Sequence, residues 1–467
     1  MADFDFVMQL EDLPNKNKQI LMDLVSGHSN KPKQPKEIVS EFLGQFDADY
    51  KSGTVDNLSF ITDFVYHKLS EETFKEKHWP KLEEVKDIGK LHEHVKLLYL
   101  EMYYRHAFSK LHGSVDVGLR CDAWRNYLDL FNTLVREQAT LHECELPPKW
   151  VWEIFDESIY QFQNFCLFAS RLKKDDPANQ ELLTRDDIPN FKEFEESLKE
   201  LIKRSGVQDK STGELVLEEK PRSKHFFGYY AYLALIKLYV SHGFVTEAFD
   251  MVQKISKQVI TRYFKRSWGA LISFFYYSGL SYILNGEILK GTKLLEKCCS
   301  FFYRYKHFLS KSMQADKYAR LVERATLLLT IFLSFNKIET EDSISKVIGE
   351  KYGEKYSKLL KYDQATFEET FTSGCCKITK PILTADSLSS YIGQESTDLV
   401  PGYIQKLLIQ LNKYRILNGV ESVLLIYNKL PITKLAKILV LEAKEVEQYL
   451  KEYETIRQAK PTGTIFE

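Results

Sequence analysis

The chain has 467 residues, of which 44% are hydrophobic and 28% charged, and a formal net charge of -1. Such a chain is long enough for two to four domains or one long repeat array, and its balanced charge excludes a protein that coats nucleic acid through bulk charge, because counterion release needs a concentrated basic surface. Its seven cysteines, Cys121, Cys144, Cys166, Cys298, Cys299, Cys375 and Cys376, include no C-x-x-C pair, so reduced thiols are expected rather than a disulfide framework or a zinc site.

"MADFDFVMQL" is acidic where a secretory signal would be basic, and a short helical lead-in over 1–25 is expected. "SGHSNKPKQPKE" then reads as a polar linker, which sets a first boundary at 37. A helical region follows over 38–170. It breaks at "HWPK" and continues through "HVKLLYLEMYYRHAFSKL" (94–111) and "DAWRNYLDLFNTLVREQATL" (122–141). In "LPPKWVWEIFDESIYQFQNF" (146–165) the paired prolines suit a helix start. Trp152, Phe155, Ile159, Phe162 and Cys166 recur every three or four residues, which puts them on one helical stripe. Lys149, Glu153, Asp156, Glu157, Tyr160, Gln163 and Asn164 fall largely on the opposite face. The rings are therefore expected to supply packing area rather than a stacking platform.

Residues 171–223 are dominated by Lys, Glu, Asp and Ser, with one amphipathic piece, "FKEFEESLKELIKR", expected as a helix between two loops. From 224 to 415 a helical repeat is expected. Tyr239, Gly243 and Ala248 recur as Tyr282, Gly286 and Gly291, a period of 43 residues. Each copy reads as a long apolar helix, a glycine turn and a second helix, and such pairs must stack to bury their faces. The run "ALISFFYYSGLSYIL" (270–284) falls short of the roughly 20 residues that span a bilayer, so it reads as a buried helix and no membrane partner is expected. Helices over 316–337, 342–361 and 364–372 extend the stack, "GCCKITKP" ends it, and "ILTADSLSSYIGQESTDLVP" reads as a loop.

Residues 416–467 carry a helix-turn-helix pattern. Thr433 precedes its short helix, with Leu435, Ile438 and Leu439 on the buried side. Val446, Tyr449, Leu450 and Tyr453 follow at i, i+3, i+4 and i+7 on the helix 442–456. Leu430, Leu435, Ala436, Leu439, Val446 and Leu450 are the expected packing set. That third helix carries Glu442, Glu445, Glu447, Glu452 and Glu454 against Lys444 and Lys451, so phosphates would repel it, and a protein contact is expected rather than DNA reading.

Nothing in the sequence forms a catalytic constellation, a cofactor loop or a metal set. "GEILKGTK" (286–293) approaches a phosphate-binding loop, but Lys and Thr are reversed and no strand precedes it. His92 and His94 are two apart, whereas zinc helices use i, i+4 pairs, so they read as surface histidines. Lys254, Lys257, Arg262, Lys265 and Arg266, and one repeat later Arg304, Lys306, His307 and Lys311, are interleaved with Tyr263, Phe264, Phe302 and Tyr303. Stacked repeats would bring these together as a solvated helix end or as an edge that contacts RNA or an acidic protein.

A helical-repeat body followed by a helix-turn-helix resembles the PCI proteins, the scaffold subunits of the proteasome lid, the signalosome and translation initiation factor three. "YLEMYYRHAFSKL" (99–111), "NYLDLFNTLV" (126–135), "LPPKWVWEIFDESIYQFQNF", "EKYGEKYSKLLKYDQATFEETFTSGCCKITKPIL" (350–383) and "LPITKLAKILVLEAKEVEQYL" (430–450) are similar, in order, to the L-subunit family of that initiation factor. The resemblance covers about 95–457. It implies an all-α solenoid of the TPR or HEAT kind ending in a PCI-type winged-helix module. It also implies a non-enzymatic scaffold, without a cofactor, that assembles with other PCI and helical-bundle subunits on the small ribosomal subunit, with a candidate rRNA contact, and that aids recruitment of mRNA and initiator tRNA. After Arg457 only "QAKPTGTIFE" remains, so the wing is expected to be truncated. A PCI subunit of the proteasome lid or signalosome, and an RNA-binding adaptor using the basic edge, are the alternatives.

Overall fold

The computed structural model describes residues 34–111, 113, 115–136, 146–173, 175–309, 315–336, 340–394, 397–427 and 429–459. The expected lead-in over 1–25, Cys144, Lys311 and the end of the 122–141 segment lie outside them. The described residues are helical throughout, with isolated bridges at Gln208–Leu215 and Thr379–Asp398 in place of strands. The chain divides into two units. The first comprises 1–277, 305–319 and 378–398, and the second 278–304, 320–377 and 399–467.

In the first unit the opening helix is Pro35–Ser52, so helical structure starts inside the expected linker. Pro35 stands in the first turn, where its missing N–H costs nothing, and Glu37 accepts from the Gln34 N–H. A second helix starts at Val55 and runs through π turns at Ile61–Val65 and Leu69–Thr73. Helices Glu93–Lys110, Val117–Arg136 and Pro148–Arg171 follow. The expected amphipathic piece forms the helix Phe191–Ser205, capped by the Asn190 side chain on the Glu193 N–H.

The centre of this unit is the helix Ser223–Ser241. Every residue of it except Lys224 is buried, as an apolar run such as "YYAYLALIKLYV" demands. It packs against both Phe191–Ser205 and Pro148–Arg171. Gly228 is required there, because a side chain would overlap Ser205 and Val207.

The segment 378–398, most of which falls in the stretch 382–401 expected as a loop, straps these helices together. Its Ile382 and Leu383 carbonyls accept from the Phe191 and Lys192 N–H groups, and the Thr379 N–H donates to the Ser241 carbonyl at 3.0 Å. One segment therefore satisfies the orphan groups at the start of one helix and the end of another. A short helix, Leu388–Tyr391, interrupts it.

In the second unit Leu295, Cys298 and Cys299 are buried, as are Val322, Leu328, Phe332 and Phe335 of the helix Ala315–Asn336. Helices Asp342–Leu359 and Gln364–Gly374 add Ile344, Ile348, Phe367 and Phe371. The long helix Val400–Ile426 runs on into the C-terminal region and is fastened by Asn418, whose amide donates to the Phe335 carbonyl at 3.1 Å.

The two copies of the repeat turn the chain in the same way. The Phe244 N–H reaches the Tyr239 carbonyl and the Glu287 N–H the Tyr282 carbonyl, both at 2.9 Å, with Gly243 and Gly286 left-handed between them. Gly291 is a close-approach position. A Cβ there would lie 2.5 Å from the Gly279 carbonyl oxygen. "GEILKGTK" therefore serves helix packing, and Thr292 is buried with its hydroxyl on the Ile288 carbonyl.

Candidate functional site

The C-terminal module is built from the end of Val400–Ile426, the helix Ile432–Leu439 and the helix Ala443–Ala459. Pro431 precedes the short helix, so Thr433 lies inside it rather than ahead of it. One core group holds Ile416, Leu417, Val420 and Tyr453, with Tyr449 and Leu450 packed against it. Its neighbour holds Val423, Leu435, Ala436 and Val446, with Leu430, Leu439 and Leu450 alongside. Gly419 lets Leu439 come close, since a Cβ there would sit 2.8 Å from Leu439 Cδ2.

Ile438, expected on the buried side, is 45% exposed. Leu425 and Ile426 at the end of the long helix are 82% and 75% exposed, and Val440 is 87% exposed. Tyr427 and Ile432 are also exposed. Val440 ends the short helix with φ 55°, a left-handed conformation that costs a β-branched residue free energy. These residues were missed in the sequence, although "VLLIYNKLPI" packs more apolar residues around the turn than a small core can cover. Acidic side chains dominate the third helix, and Lys413 of the long helix pairs with its Glu452 at 3.0 Å.

In the first unit the stripe of Trp152, Phe155, Ile159, Phe162 and Cys166 is buried. Trp152 meets Tyr230 edge-on, Phe155 stacks on Phe131, and Phe162 packs on Trp124 and Phe194. The opposite face is only partly solvated: Tyr160 is exposed, but Glu153 and Asp156 are buried. Arg105 bridges Glu101 at 2.6 Å and Glu153 at 3.1 Å, while Lys149 reaches Asp63 at 2.6 Å. Asp156 accepts from buried Lys237 and, at 2.6 Å, from exposed Lys317. Burial works against the Asp156 carboxylate, but the two ammonium groups outweigh it and hold its carboxyl well below the usual range.

Nor are the paired histidines on the surface. His94 is buried and bonded to the Tyr50 hydroxyl, and His92 Nδ1 caps its own helix by accepting from the His94 N–H. Among the described residues no three His, Cys, Asp or Glu side chains gather as a metal set, and no helix is long and apolar enough to cross a membrane. The six described cysteines are buried.

The basic residues divide. Lys254, Lys257, Arg262, Lys265 and Arg266 are exposed in the first unit, on and around the short helix Lys257–Arg262. Arg304 belongs to the second unit, where it pairs with Glu341 at 3.7 Å; Lys306 is exposed. The interleaved Tyr263 and Phe264 are buried, and Tyr263 stacks on Tyr229 at 3.8 Å. A cavity of about 440 Å³ beside them is lined by Leu217, Gln258, Thr261 and Arg262.

The family model described as "RNA polymerase I-associated factor PAF67" matches residues 119–463. Among curated relatives, the chain is similar to eukaryotic translation initiation factor 3 subunit L of Anopheles gambiae, 26% identical over 418 residues, which cover 86% of this chain and 76% of the relative. The subunit L of Nematostella vectensis is 26% identical over 420 residues, covering 86% and 78%. That of Mus musculus is 25% identical over 393 residues, covering 81% and 68%.

Proposed function

The chain belongs to the PAF67 family, and from that premise we propose that it is a non-catalytic scaffold subunit of a cytoplasmic translation initiation factor 3 complex. In this reading the repeat helices of 224–415 and the module of 416–467 act together as a PCI domain. The complex sits on the small ribosomal subunit and supports recruitment of mRNA and initiator tRNA. The observation that carries the reading is the concentration of uncovered apolar side chains, Leu425, Ile426, Tyr427, Ile432, Ile438 and Val440, on one small module. Large apolar side chains left exposed on one small module point to an interaction site, and acidic neighbours disfavour nucleic acid as its occupant.

The test is sedimentation of a gently lysed extract at moderate salt, with mass spectrometry of what accompanies a tagged chain. Co-migration with small-subunit initiation complexes and other factor subunits is expected, and a Leu425→Ser, Ile426→Ser double variant should lose those subunits while keeping its melting temperature. Migration with RNA polymerase I, which the family description names, or with a protease lid would overturn the reading.

A further inference from the structure

We propose that the surface formed by residues 216–224 and 254–266 binds the phosphate backbone of structured RNA. It is a continuous part of the first unit. The segment 216–219 is held on the helices by its carbonyls: the Tyr229 hydroxyl donates to Val216, the Tyr263 hydroxyl to Glu218 and the Arg262 guanidinium to Glu219. Lys220 directly follows the Glu219 that Arg262 holds, and Lys254 lies with its Nζ near Gly213, in the turn that leads into this segment. Lys220, Lys224, Lys254, Lys257, Arg262 and Arg266 are all exposed.

The charges are uncompensated. Elsewhere exposed lysines and arginines commonly have a carboxylate partner, as Lys199 has Glu195, Arg204 has Glu200 and Lys358 has Glu354. Lys220, Lys224, Lys254, Lys257, Arg262 and Arg266 have no such ion pair among the described residues. Glu218 and Glu219 lie on the same segment, but the Glu219 carbonyl, not its carboxylate, accepts from Arg262, and the Glu218 carbonyl accepts from the Tyr263 hydroxyl. In a chain of net charge -1, such a cluster is a local positive field, which attracts a polyanion and releases its counterions.

Chemistry narrows the polyanion. Tyr229, Tyr263 and Phe264 are buried, so no ring is offered for base stacking and single-stranded RNA gains nothing over a duplex. A protein partner would want apolar anchors, yet Val216 is the one exposed large hydrophobic side chain on these two segments among the described residues. The cavity beside Arg262 offers instead the Gln258 amide N–H group, which suits a phosphate oxygen. RNA rather than another polyphosphate is assigned because of the proposed ribosomal function, and that part rests on it.

The experiment is fluorescence anisotropy of the purified full-length chain with a labelled RNA duplex of 24 base pairs, titrated across a range of KCl concentrations. Binding should weaken steeply with salt and be no tighter to a single strand of the same length. A Lys254→Gln, Lys257→Gln, Arg266→Gln variant, whose substituted side chains are exposed, should keep its melting temperature, lose about tenfold or more in affinity, and show a salt slope shallower by roughly three. No binding by the wild-type chain, an unchanged variant, or displacement by polyglutamate at the same charge concentration as by RNA would overturn the proposal. Such a failure would leave complex membership intact, because the sedimentation test reads that separately.

Discussion

In the helix Pro148–Arg171 cover extends from one face onto part of the other, with Tyr160 left exposed. Its aromatic stripe packs into the unit, and on the far side Glu153 and Asp156 are buried against Arg105, Lys237 and Lys317. In the helix Ile432–Leu439 only Leu435, Ala436 and part of Leu439 are covered, and Ile438 faces water. Both helices have apolar residues at helical spacing. Their surroundings differ, because the first is enclosed by long helices and the second closes the end of a small module. A large core buries charges that must then be paired, whereas a small one leaves apolar groups without cover.

Trp152→Ala tests the first helix most severely. It should cost about 3–5 kcal/mol in chemical unfolding, the range for removing a buried Trp, and an unchanged transition would break the contrast. Asp156→Asn should cost about 3 kcal/mol, because Lys237 is left buried without its counter-charge. Its pH dependence has a definite sign. The folded carboxyl is held below the unfolded value, so its contribution is fully present above about pH 4 and is lost as the pH falls further. The wild-type chain should therefore lose stability on acidification more steeply than the variant, read from melting temperatures between neutral and acid pH.

Leu435→Ala should cost about 2 kcal/mol, at the low end for a buried Leu, since the thin core around it can relax. A loss as large as that of Trp152→Ala would mean that the C-terminal module is packed as tightly as the first unit. Val440→Gly should act in the opposite direction and stabilise by about 1 kcal/mol, because glycine takes the left-handed conformation without strain. A destabilised Val440→Gly variant would show that the exposed Val440 side chain already has a packing role within the chain.

Helix existence and the inward stripes were legible because the 3.6-residue period and the proline and glycine punctuation act locally. Gly243 and Gly286, matched in sequence at a period of 43, end their helices with the same hydrogen bond. The basic cluster at 254–266 was legible as composition, but its relation to 216–224 was not, because Arg262 and Glu219 are 43 residues apart. Reading 382–401 as a loop missed the capping task of its first residues, Ile382 and Leu383, since capping groups in a strap carry no periodic signal.

The sequence by itself determined the all-helical architecture and the buried residues Trp152, Phe155 and Val446, because spacing and backbone chemistry suffice for each. Only the tertiary structure decided what covers the second face of each helix. It buried Glu153, Asp156 and His94 and left Ile438, Leu425 and Val440 in water. The physical reason is that a side chain's spacing fixes its direction, while its burial depends on partners distant in the chain, such as Lys237 and Lys317 for Asp156.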